Sequence, residues 1–478
     1  MQKNDYVTGD IISYGCEGEG IMKTDGCTVF VPFTCKGEKV RVKILKVKGQ
    51  TAYGKIEEVI CASPKRVKPQ CKVFGKCGGC NLMHMSYAEQ LEYKKELIEN
   101  TLRKIGFLNV NLSEGVVAST PEIRYRNKLQ LPVGMCDNGV IGGFYASNSH
   151  RIVSCDDCLL NGVRERDITA AVKEYMTENG VSAYDETSGK GVVRHIVVKR
   201  AGDEYLIILV VNGTEKALKN MPALINKLNF LFCGGEKYGL FVNLNSRRDN
   251  VILGEKFIKI CGESVIHGNY GGINYEVGAL SFMQVNSNVM RAIYDKAASF
   301  VCGGDYLIDA YCGAGVLTCA LAKKCESALG IEIVDEAVKL ARATAEKNGV
   351  ENVGFICAPC ENVLPGIIKE RREKGLKTAL LLDPPRKGLD FAVSKAVKES
   401  LPDKIIYISC SPQTLARDLG IITGTLEFTA NGIEKAADKP VNAYFGEILS
   451  SGYKLEYISG FDMFAQCKGV ETLAVLTR

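Results

Sequence analysis

The sequence predicts an α/β protein with a small N-terminal β-barrel, a central β-rich domain and a C-terminal Rossmann-like domain. The chain has 478 residues, enough for about three domains of roughly 150 residues each. From about residue 290 onward, short apolar runs such as 380–382 and 405–408 end in polar turns and alternate with helical patterns, as buried parallel strands do in doubly wound folds. From about 120 to 280, apolar and polar residues alternate between Gly and Asn turns, which indicates a mostly antiparallel sheet.

The first predicted domain, residues 1–60, consists of short strands separated by glycine turns, a pattern typical of a small β-barrel. Basic and apolar residues alternate strictly in this domain, so a strand places Lys39, Arg41 and Lys43 on one face. Two interpretations of this face stay open: an ordinary solvated strand surface, or a surface that contacts nucleic-acid phosphates.

The second predicted domain, residues 61–285, carries a cluster of cysteines near its start. Cys71, Cys77 and Cys80 follow the spacing C-x5-C-x2-C. Three clustered thiols suit a metal centre, and Cys155 and Cys158 are the candidates for a fourth ligand. A structural zinc and a redox-active pair formed by the last two clustered thiols are the competing interpretations.

A helical linker is predicted at about 86–106 within this second domain. Ser86 and Glu89 have the spacing of a capping box, and Gly106 ends the apolar pattern that follows.

The third predicted domain, residues 286–478, opens with a strand, the glycine turn 312–315 and an apolar helix. Such a turn lets a ligand approach the backbone at a helix N-terminus. Glu332 ends the next strand and could accept hydrogen bonds from a ribose diol, so an adenosine-containing ligand is expected. An ordinary turn followed by a surface Glu is the alternative interpretation. A nicotinamide-binding turn would have Gly or Ala where this chain has Thr318, which disfavours a dehydrogenase.

Two further polar residues follow apolar runs of the predicted parallel sheet. Asp383 follows Leu380–Leu382, and Cys410 comes just after Ile405–Ile408. Because parallel strands end at one edge of the sheet, both side chains should face the same crevice. From the spacing alone, Cys410 is either a nucleophile or an ordinary buried thiol.

Composition limits the possible classes of protein. No apolar run reaches 18 residues and the first residues lack a secretory signal, so we expect a cytoplasmic protein without a membrane span or an obligate protein partner. The net charge of +5 is too small to identify a polyanionic partner by itself. Most of the 20 cysteines are expected to be packing residues in a protein of this length.

A set of motifs in fixed order resembles the RNA (uracil-5-)-methyltransferase family. The motifs are Phe282-Met283-Gln284-Val285-Asn286, Asp309 to Gly315, Gly330-Ile331-Glu332, Asp383-Pro384-Pro385-Arg386, Ser409-Cys410-Ser411-Pro412 and Val470-Glu471. Nearly the whole chain is similar to members that modify 23S ribosomal RNA and carry an N-terminal TRAM domain, a module that binds RNA.

The resemblance implies a cofactor and a mechanism. S-adenosylmethionine would bind through Gln284, Tyr311, Glu332 and Asp383. Cys410 would add to carbon 6 of uracil, and Glu471 would remove the proton from carbon 5 after methyl transfer. Asp383 could orient the uracil, hold the cofactor, or do both.

The resemblance also implies a [4Fe-4S] cluster held by Cys71, Cys77, Cys80 and Cys158. The segment Arg124-Tyr125-Arg126-Asn127-Lys128 is similar to a family motif, in which Arg124, Arg126 and Lys128 could contact RNA. A strand with one polar face is the alternative interpretation of that segment.

This sequence departs from the family pattern at two positions. Val316 stands where several members have Asn, and Gly469 replaces the His of a His-Val-Glu motif. Two other functions stay open at this point: a tRNA uracil-5-methyltransferase, and an RNA-binding iron–sulfur protein without enzymatic activity.

Overall fold

The computed structural model of the chain describes residues 1–24, 26–137, 139–429, 432–436 and 451–478. No helix within these ranges combines the length and the apolar character needed to cross a bilayer.

The N-terminal region is a six-stranded sheet with the strand order β1-β5-β6-β4-β3-β2. Its strands are β1 (Tyr6–Asp10), β2 (Ser13–Tyr14), β3 (Gly20–Thr24), β4 (Cys27–Val31), β5 (Lys39–Lys48) and β6 (Thr51–Cys61). Because β1 also packs against β3, the sheet curves around a small apolar core that includes Met22, Val29, Val40 and Val42. Side chains that alternate with these core residues point outward.

A seven-stranded sheet forms the centre of the molecule, in the order β10-β9-β8-β11-β12-β13-β14. Its strands are β8 (Lys128–Cys136), β9 (Gly139–Tyr145), β10 (Ile152–Ser154), β11 (Val193–Ala201), β12 (Glu204–Val211), β13 (Lys237–Leu244) and β14 (Lys256–Gly262), which follow β7 (Val116–Val117) along the chain. Every adjacent pair is antiparallel except β12 and β13, which agrees with the mostly antiparallel sheet predicted for this region.

Helices α2 (Val163–Glu178) and α3 (Met221–Leu231) cover one face of this sheet, and the longer helix α1 (Tyr87–Ile105) precedes them in the chain. The hairpin β15 (Ile266–Tyr270) and β16 (Ile273–Val277) then leads into the C-terminal region.

The C-terminal region is an eight-stranded sheet in the order β19-β18-β17-β20-β21-β25-β24-β7. The strands added here are β17 (Tyr306–Asp309), β18 (Ser327–Glu332), β19 (Val353–Cys357), β20 (Thr378–Leu382), β21 (Lys404–Ser409), β22 (Leu426–Thr429), β23 (Gly432–Lys435), β24 (Lys454–Phe461) and β25 (Glu471–Thr477). The helices are α4 (Ser287–Ala298), α5 (Val316–Ala322), α6 (Asp335–Lys347), α7 (Cys360–Glu373), α8 (Phe391–Ser400) and α9 (Pro412–Thr423).

Strands β19, β18, β17, β20 and β21 of this sheet are parallel, and β25 is antiparallel to both of its neighbours. Two apolar clusters, one on each side of the parallel strands, bury this sheet. The strand and helix alternation predicted from about residue 290 therefore forms a doubly wound sheet.

The helical linker predicted at about 86–106 forms as α1, and Ser86 Oγ accepts a hydrogen bond from the Glu89 backbone at 3.4 Å. The Glu89 carboxylate does not complete a capping box, because it accepts a 2.7 Å hydrogen bond from the Tyr14 hydroxyl and pairs with Lys65 instead. Ile98 and Leu102 of this helix pack into the C-terminal core, and β7 pairs with β24. The segment from α1 to β7 therefore packs with the C-terminal sheet, although the sequence pattern groups it with the central region.

Candidate active site

Four polar side chains lie at the carboxyl ends of neighbouring parallel strands. Asp309 ends β17 and Glu332 ends β18, whereas Asp383 and Cys410 directly follow β20 and β21. Because parallel strands end at the same edge of a sheet, these side chains line one crevice, where open α/β sheets bind ligands.

Cys410 and Glu471 come together at the end of an antiparallel ladder. In the pairing of β21 with β25, Ser409 lies opposite Thr472, so the residue after Ser409 adjoins the residue before Thr472. Glu471 is buried, with 6% of its surface exposed, and Cys410 is half-buried. A thiol and a carboxyl group that are far apart in sequence thus share one end of the crevice.

The charged groups around Cys410 have opposite effects on the pKa of its thiol. Burial raises the pKa of the Cys410 thiol, and the carboxyl groups of Glu471 and Asp383 raise it further. Arg386 lowers that pKa through its positive charge and through a hydrogen bond to the thiol. Arg386 is therefore the group in this crevice that favours a thiolate at Cys410.

Burial also raises the pKa of the two carboxyl groups that interact with the thiol. The pKa of Glu471 is raised to about 8, mainly by burial and also by Asp383, whereas Arg386 lowers it. The pKa of Asp383 is raised to about 7 by burial and by the nearby Asp309. Asp383 is partly open to the crevice, so solvent moderates its shift more than that of Glu471. A carboxyl group in this pKa range can give or take a proton near neutral pH.

Asp309 and Tyr294 complete the floor of the crevice. Thr318 donates a 2.6 Å hydrogen bond to Asp309 Oδ2, while burial raises the pKa of Asp309 to about 6. Tyr294 interacts with the carboxyl groups of Asp309 and Asp383 and shares a hydrogen bond with Gln284. The Phe282–Asn286 segment is therefore connected to the strand ends through Tyr294.

The glycine turn between β17 and α5 is closed by Glu332. Gly315 has a φ of 73°, and a Cβ there would stand 2.7 Å from the Ala341 side chain, so only glycine fits. Glu332 Oε2 accepts a 3.1 Å hydrogen bond from the Gly313 amide, and Glu332 Oε1 accepts hydrogen bonds from the amides of Ile333 and Val334 at 2.8 and 2.9 Å. Tyr311, partly buried at the start of this turn, packs against the apolar cluster that contains Cys360, and its hydroxyl interacts with Glu361 and Asp418.

A second candidate site consists of thiols from three parts of the chain. Its members lie near one another in space: Cys71, Cys77, Cys80, Cys155, Cys158 and Cys467. Cys467 was not identified from the sequence. Its thiol hydrogen-bonds with Cys80 and donates to the Gly79 carbonyl oxygen at 3.1 Å.

A buried positive charge adjoins these thiols. The Nε atom of Arg126 is buried and has no hydrogen-bond partner among the described residues, and its charge interacts with Cys158 and Cys467. Buried polar groups normally have partners, and iron-bound thiolates form an anionic centre. The donor chemistry therefore fits an iron–sulfur cluster. Within the described ranges, however, no group of three or more His, Cys, Asp or Glu side chains is arranged to hold a metal ion.

Two family models match the chain. The tRNA (Uracil-5-)-methyltransferase model matches residues 236–433, and the TRAM domain model matches residues 12–56. The second match covers most of the N-terminal sheet.

Relatives with similar sequences extend over the whole chain. An uncharacterized RNA methyltransferase of Clostridium tetani is 36% identical over 477 residues, covering 99% of this chain and 96% of the relative. Another from Halalkalibacterium halodurans is 34% identical and covers 100% of this chain and 98% of the relative.

This chain belongs to the RNA (uracil-5-)-methyltransferase family.

The solved structure of Pyrococcus abyssi tRNA (uracil-54, C5)-methyltransferase in complex with S-adenosyl-L-homocysteine has the same fold. The TM-score is 0.73 at 24% identity, over 98% of this chain and 99% of that chain. Its family membership identifies the protein as an S-adenosylmethionine-dependent RNA (uracil-C5-)-methyltransferase, and the second family match gives it an N-terminal TRAM domain. These comparisons confirm the predicted family, the fold of the C-terminal domain and S-adenosylmethionine as a cofactor, and they exclude the non-enzymatic alternative.

The residues suggested for RNA binding fall into two groups in this methyltransferase. Lys39, Arg41 and Lys43 alternate with buried residues of β5 and point away from the TRAM core. Arg124 instead donates two hydrogen bonds to the Asp157 carboxylate at 2.6 and 2.8 Å. Together with the buried Nε of Arg126, this contact favours a structural role for the central motif.

Lys128 is the third basic residue of that motif, and burial lowers its pKa. It pairs across the ladder with Lys199 of β11, so its backbone forms part of the central sheet.

Sequence reasoning missed three residues that the structure brings to the candidate sites: Tyr294, Arg386 and Cys467. Arg386 was visible within the Asp-Pro-Pro-Arg motif, but its contact with Cys410 depends on the turn after β20. Tyr294 and Cys467 carried no local signal, because each reaches its site only through tertiary packing.

Proposed function

We propose that this methyltransferase modifies carbon 5 of a uridine in 23S ribosomal RNA through covalent catalysis by Cys410. The observation that carries the proposal is the meeting of Cys410 and Glu471 at the end of the β21–β25 ladder, with Asp383 in the same crevice. A nucleophile and a proton acceptor at one site match the two tasks that uracil C5 methylation requires.

The first task is activation of the ring. Carbon 5 of uracil is a weak nucleophile, and the Cys410 thiolate makes it stronger by adding to carbon 6, which gives an enolate with negative charge at carbon 5. Arg386 supports this step because it favours the thiolate. S-adenosylmethionine, when bound, supplies the methyl group that carbon 5 takes up.

The second task is removal of the carbon 5 proton. Glu471, whose pKa is raised to about 8 by burial, accepts this proton, the carbon 5–carbon 6 double bond re-forms, and the bond between carbon 6 and Cys410 breaks. The thiolate is thereby regenerated and the methylated uridine is released. Asp383 lies close enough to both groups to orient the uracil edge by hydrogen bonding.

The cofactor site in this proposal consists of Gln284, Tyr311, Glu332 and Asp383. Glu332 is fixed against the glycine turn by three backbone amides, and a carboxylate placed there suits a ribose diol. Gln284 and Asp383 both interact with Tyr294, so cofactor and uracil would meet beside this ring. The target nucleotide must leave its stack to reach Cys410.

The cysteine centre in this proposal is a [4Fe-4S] cluster held by Cys71, Cys77, Cys80 and Cys158. Four thiols and the buried Arg126 would supply the ligands and a compensating charge. Its role would be folding or RNA docking, because Cys410 lies in a distant part of the sequence. Asn81 and Leu82, beside these thiols, donate backbone hydrogen bonds to the Gln466 carbonyl oxygen, so a cluster here would strengthen the contact between these two segments. A brown protein with iron after anaerobic purification is the expected result, and a colourless protein with one zinc would contradict it.

Within this proposal the chain divides into residues 1–60 for RNA binding, 61–285 for the central domain and 286–478 for catalysis. Lys39, Arg41 and Lys43 would contact phosphates from the first unit. A tRNA substrate is the second candidate, because the catalytic residues recognise the base and not its context. The name of the matching family model favours this candidate, and the TRAM domain favours ribosomal RNA by analogy.

The test is S-adenosylmethionine-dependent release of tritium from RNA labelled at uracil carbon 5, with 23S ribosomal RNA and tRNA transcripts offered separately. We expect release from the ribosomal transcript and none with Cys410→Ala. Release from tRNA alone would identify tRNA as the substrate and would still support the proposed mechanism. Methyl incorporation without tritium release would contradict the roles of Cys410 and Glu471.

A further inference from the structure

The outward face of the TRAM sheet carries aromatic side chains as well as basic ones. Tyr6 on β1 and Tyr53 on β6 have 49% and 45% of their surface exposed. Phe30 on β4 alternates with Val29 and Val31, which are fully buried in the core, so its ring lies on the outer side of the same sheet.

The strand register makes these rings part of one surface. Tyr6 lies opposite Lys43 on β5, and Lys43 lies opposite Lys55 on β6. Tyr53, two residues from Lys55 on the same face of β6, lies opposite Phe30 on β4. The surface therefore runs across four strands with aromatic residues on both sides of a lysine pair.

Contacts within the surface hold the rings in place. The Arg41 guanidinium and the Lys43 ammonium group lie 5.1 and 5.8 Å from the centre of the Tyr6 ring. The Phe30 and Tyr53 rings stack with centroids 5.7 Å apart and planes 23° from parallel. Half-exposed rings held in this way present flat apolar area to solvent, which is typical of a recognition surface.

The charge of this face is complementary to RNA. Lys46 lies opposite Tyr53 in the β5–β6 ladder, and Lys55 follows Tyr53 by two residues on β6. Glu58 lies opposite Arg41 and offsets its charge at that end of the face, whereas Lys43, Lys46 and Lys55 lie opposite lysine or tyrosine residues. Cations close to the rings can therefore hold phosphates while the rings meet bases.

We propose that this face, formed by Tyr6, Phe30, Tyr53 and the lysines between them, stacks unpaired bases of the substrate RNA. Duplex RNA hides the faces of its bases and is recognised through its backbone, whereas single strands stack on aromatic rings beside basic groups. The inference rests on the proposed RNA-binding role of residues 1–60 and adds the kind of RNA that they bind. The occupant is a single-stranded stretch that adjoins the target uridine.

The first test measures binding of the full-length protein to a fluorescent single-stranded oligonucleotide and to a duplex of the same sequence. Tyr53→Ala and Phe30→Ala should each weaken binding to the single strand by roughly ten-fold and change duplex binding little. Phe230→Ala is the matched control, because this ring is 82% exposed on α3, outside the TRAM sheet. An equal loss of affinity for the single strand and the duplex would show that the face contacts only phosphates, and it would overturn the proposal.

The second test does not depend on loss of function. The chain contains no tryptophan, so Tyr53→Trp places a single reporter on the face, and Phe230→Trp places one outside it. Stacking of bases should quench the tryptophan at position 53 in a saturable way and leave the one at position 230 unchanged. Unchanged fluorescence at position 53 while the single strand binds would overturn the proposal.

Tritium release from the full RNA substrate separates this proposal from the catalytic one. If the wild-type enzyme releases tritium but neither ring affects single-strand binding, the stacking face is wrong and the catalytic proposal stands. If single-strand binding depends on the rings and no tritium is released, the stacking face stands and the catalytic proposal is wrong.

Discussion

Lys199 Nζ donates a 2.7 Å hydrogen bond to the carbonyl oxygen of Ser281. The same ammonium group donates to the carbonyl oxygens of Gly278 and Ala279 at 3.0 and 2.7 Å. Lys199 belongs to the central sheet and is 1% exposed, whereas Ser281 directly precedes the segment with Phe282 and Gln284. Burial lowers the pKa of Lys199 to about 7, and three carbonyl acceptors favour the ammonium form that can satisfy them all.

We therefore expect Lys199→Met to loosen the segment that presents Gln284 to the crevice. Three buried carbonyl groups would lose their donor, at about 1–3 kcal/mol for each group left unsatisfied, so the urea midpoint should fall. The KM for S-adenosylmethionine should rise more than kcat falls, because cofactor contacts are affected before Cys410 is. Lys256→Met, an exposed change on β14, should leave both values unchanged; an equal effect of the two variants would contradict the prediction.

Glu471→Gln should trap the enzyme on its RNA. The thiolate can still add and the methyl group can still transfer, but the carbon 5 proton stays because an amide is not a base. A denaturing gel should show a shifted protein–RNA band that persists, whereas Glu456→Gln, an exposed change on β24, should behave like the wild type. Absence of the shifted band would argue against this role.

The wild-type enzyme should show a pH dependence with the same origin. Glu471 accepts a proton only when it is ionised, and its pKa is raised to about 8. Turnover limited by proton removal should therefore increase from pH 6, reach half of its maximum near pH 8 and level off about one pH unit above that. Single-turnover measurements of adduct decay would reveal this. Adduct decay that is independent of pH over this range would exclude Glu471 as the base.

Arg386→Gln should reduce the fraction of Cys410 that is present as the thiolate at neutral pH. Removal of the guanidinium takes away the group that lowers the pKa of Cys410 and leaves burial and two carboxyl groups that raise it. Alkylation of Cys410 by iodoacetamide at pH 7.5 should become about 3- to 10-fold slower, as followed by mass spectrometry of its peptide. Lys387→Gln changes the exposed neighbouring residue, and the exposed Cys233 serves as an internal reference; equal rates at Cys410 in both variants would contradict the role of Arg386.

The sequence predicted the doubly wound sheet and the positions of Asp383 and Cys410 because those signals are local: an apolar run, a turn and a polar residue at the strand end. It could not predict that α1 packs with the C-terminal sheet, because amphipathic helices do not reveal which core they join. The partners of Glu89, Arg124 and Lys199 were hidden for the same reason. Each is a charged residue whose partners lie in other elements, so its sequence neighbours suggested a cap or an exposed face instead.

The choice between Cys155 and Cys158 also needed tertiary information, since both thiols lie beside Cys77. We expect Cys158→Ser to lose iron after anaerobic purification, because its thiol adjoins Cys80 and Arg126 as well. Cys155→Ser is the matched control and should keep its iron content and its absorbance in the blue region. The reverse pattern would assign the fourth ligand to Cys155.

The loop between β24 and β25, which leads to the proposed base, depends on a buried ion pair. Lys94 of α1 and Asp462, just after β24, have fully buried side chains in contact with each other; Asp462 also accepts a 2.8 Å hydrogen bond from the Tyr87 hydroxyl. Lys94→Met should destabilise the protein by about 3–5 kcal/mol, because it leaves an unpaired carboxylate in the interior. The double variant Lys94→Met with Asp462→Asn should recover part of that loss in urea unfolding, since the charge is then removed. If the double variant were less stable than Lys94→Met, the unpaired charge would not be the cause, and Asp462 would act through its hydrogen bonds alone.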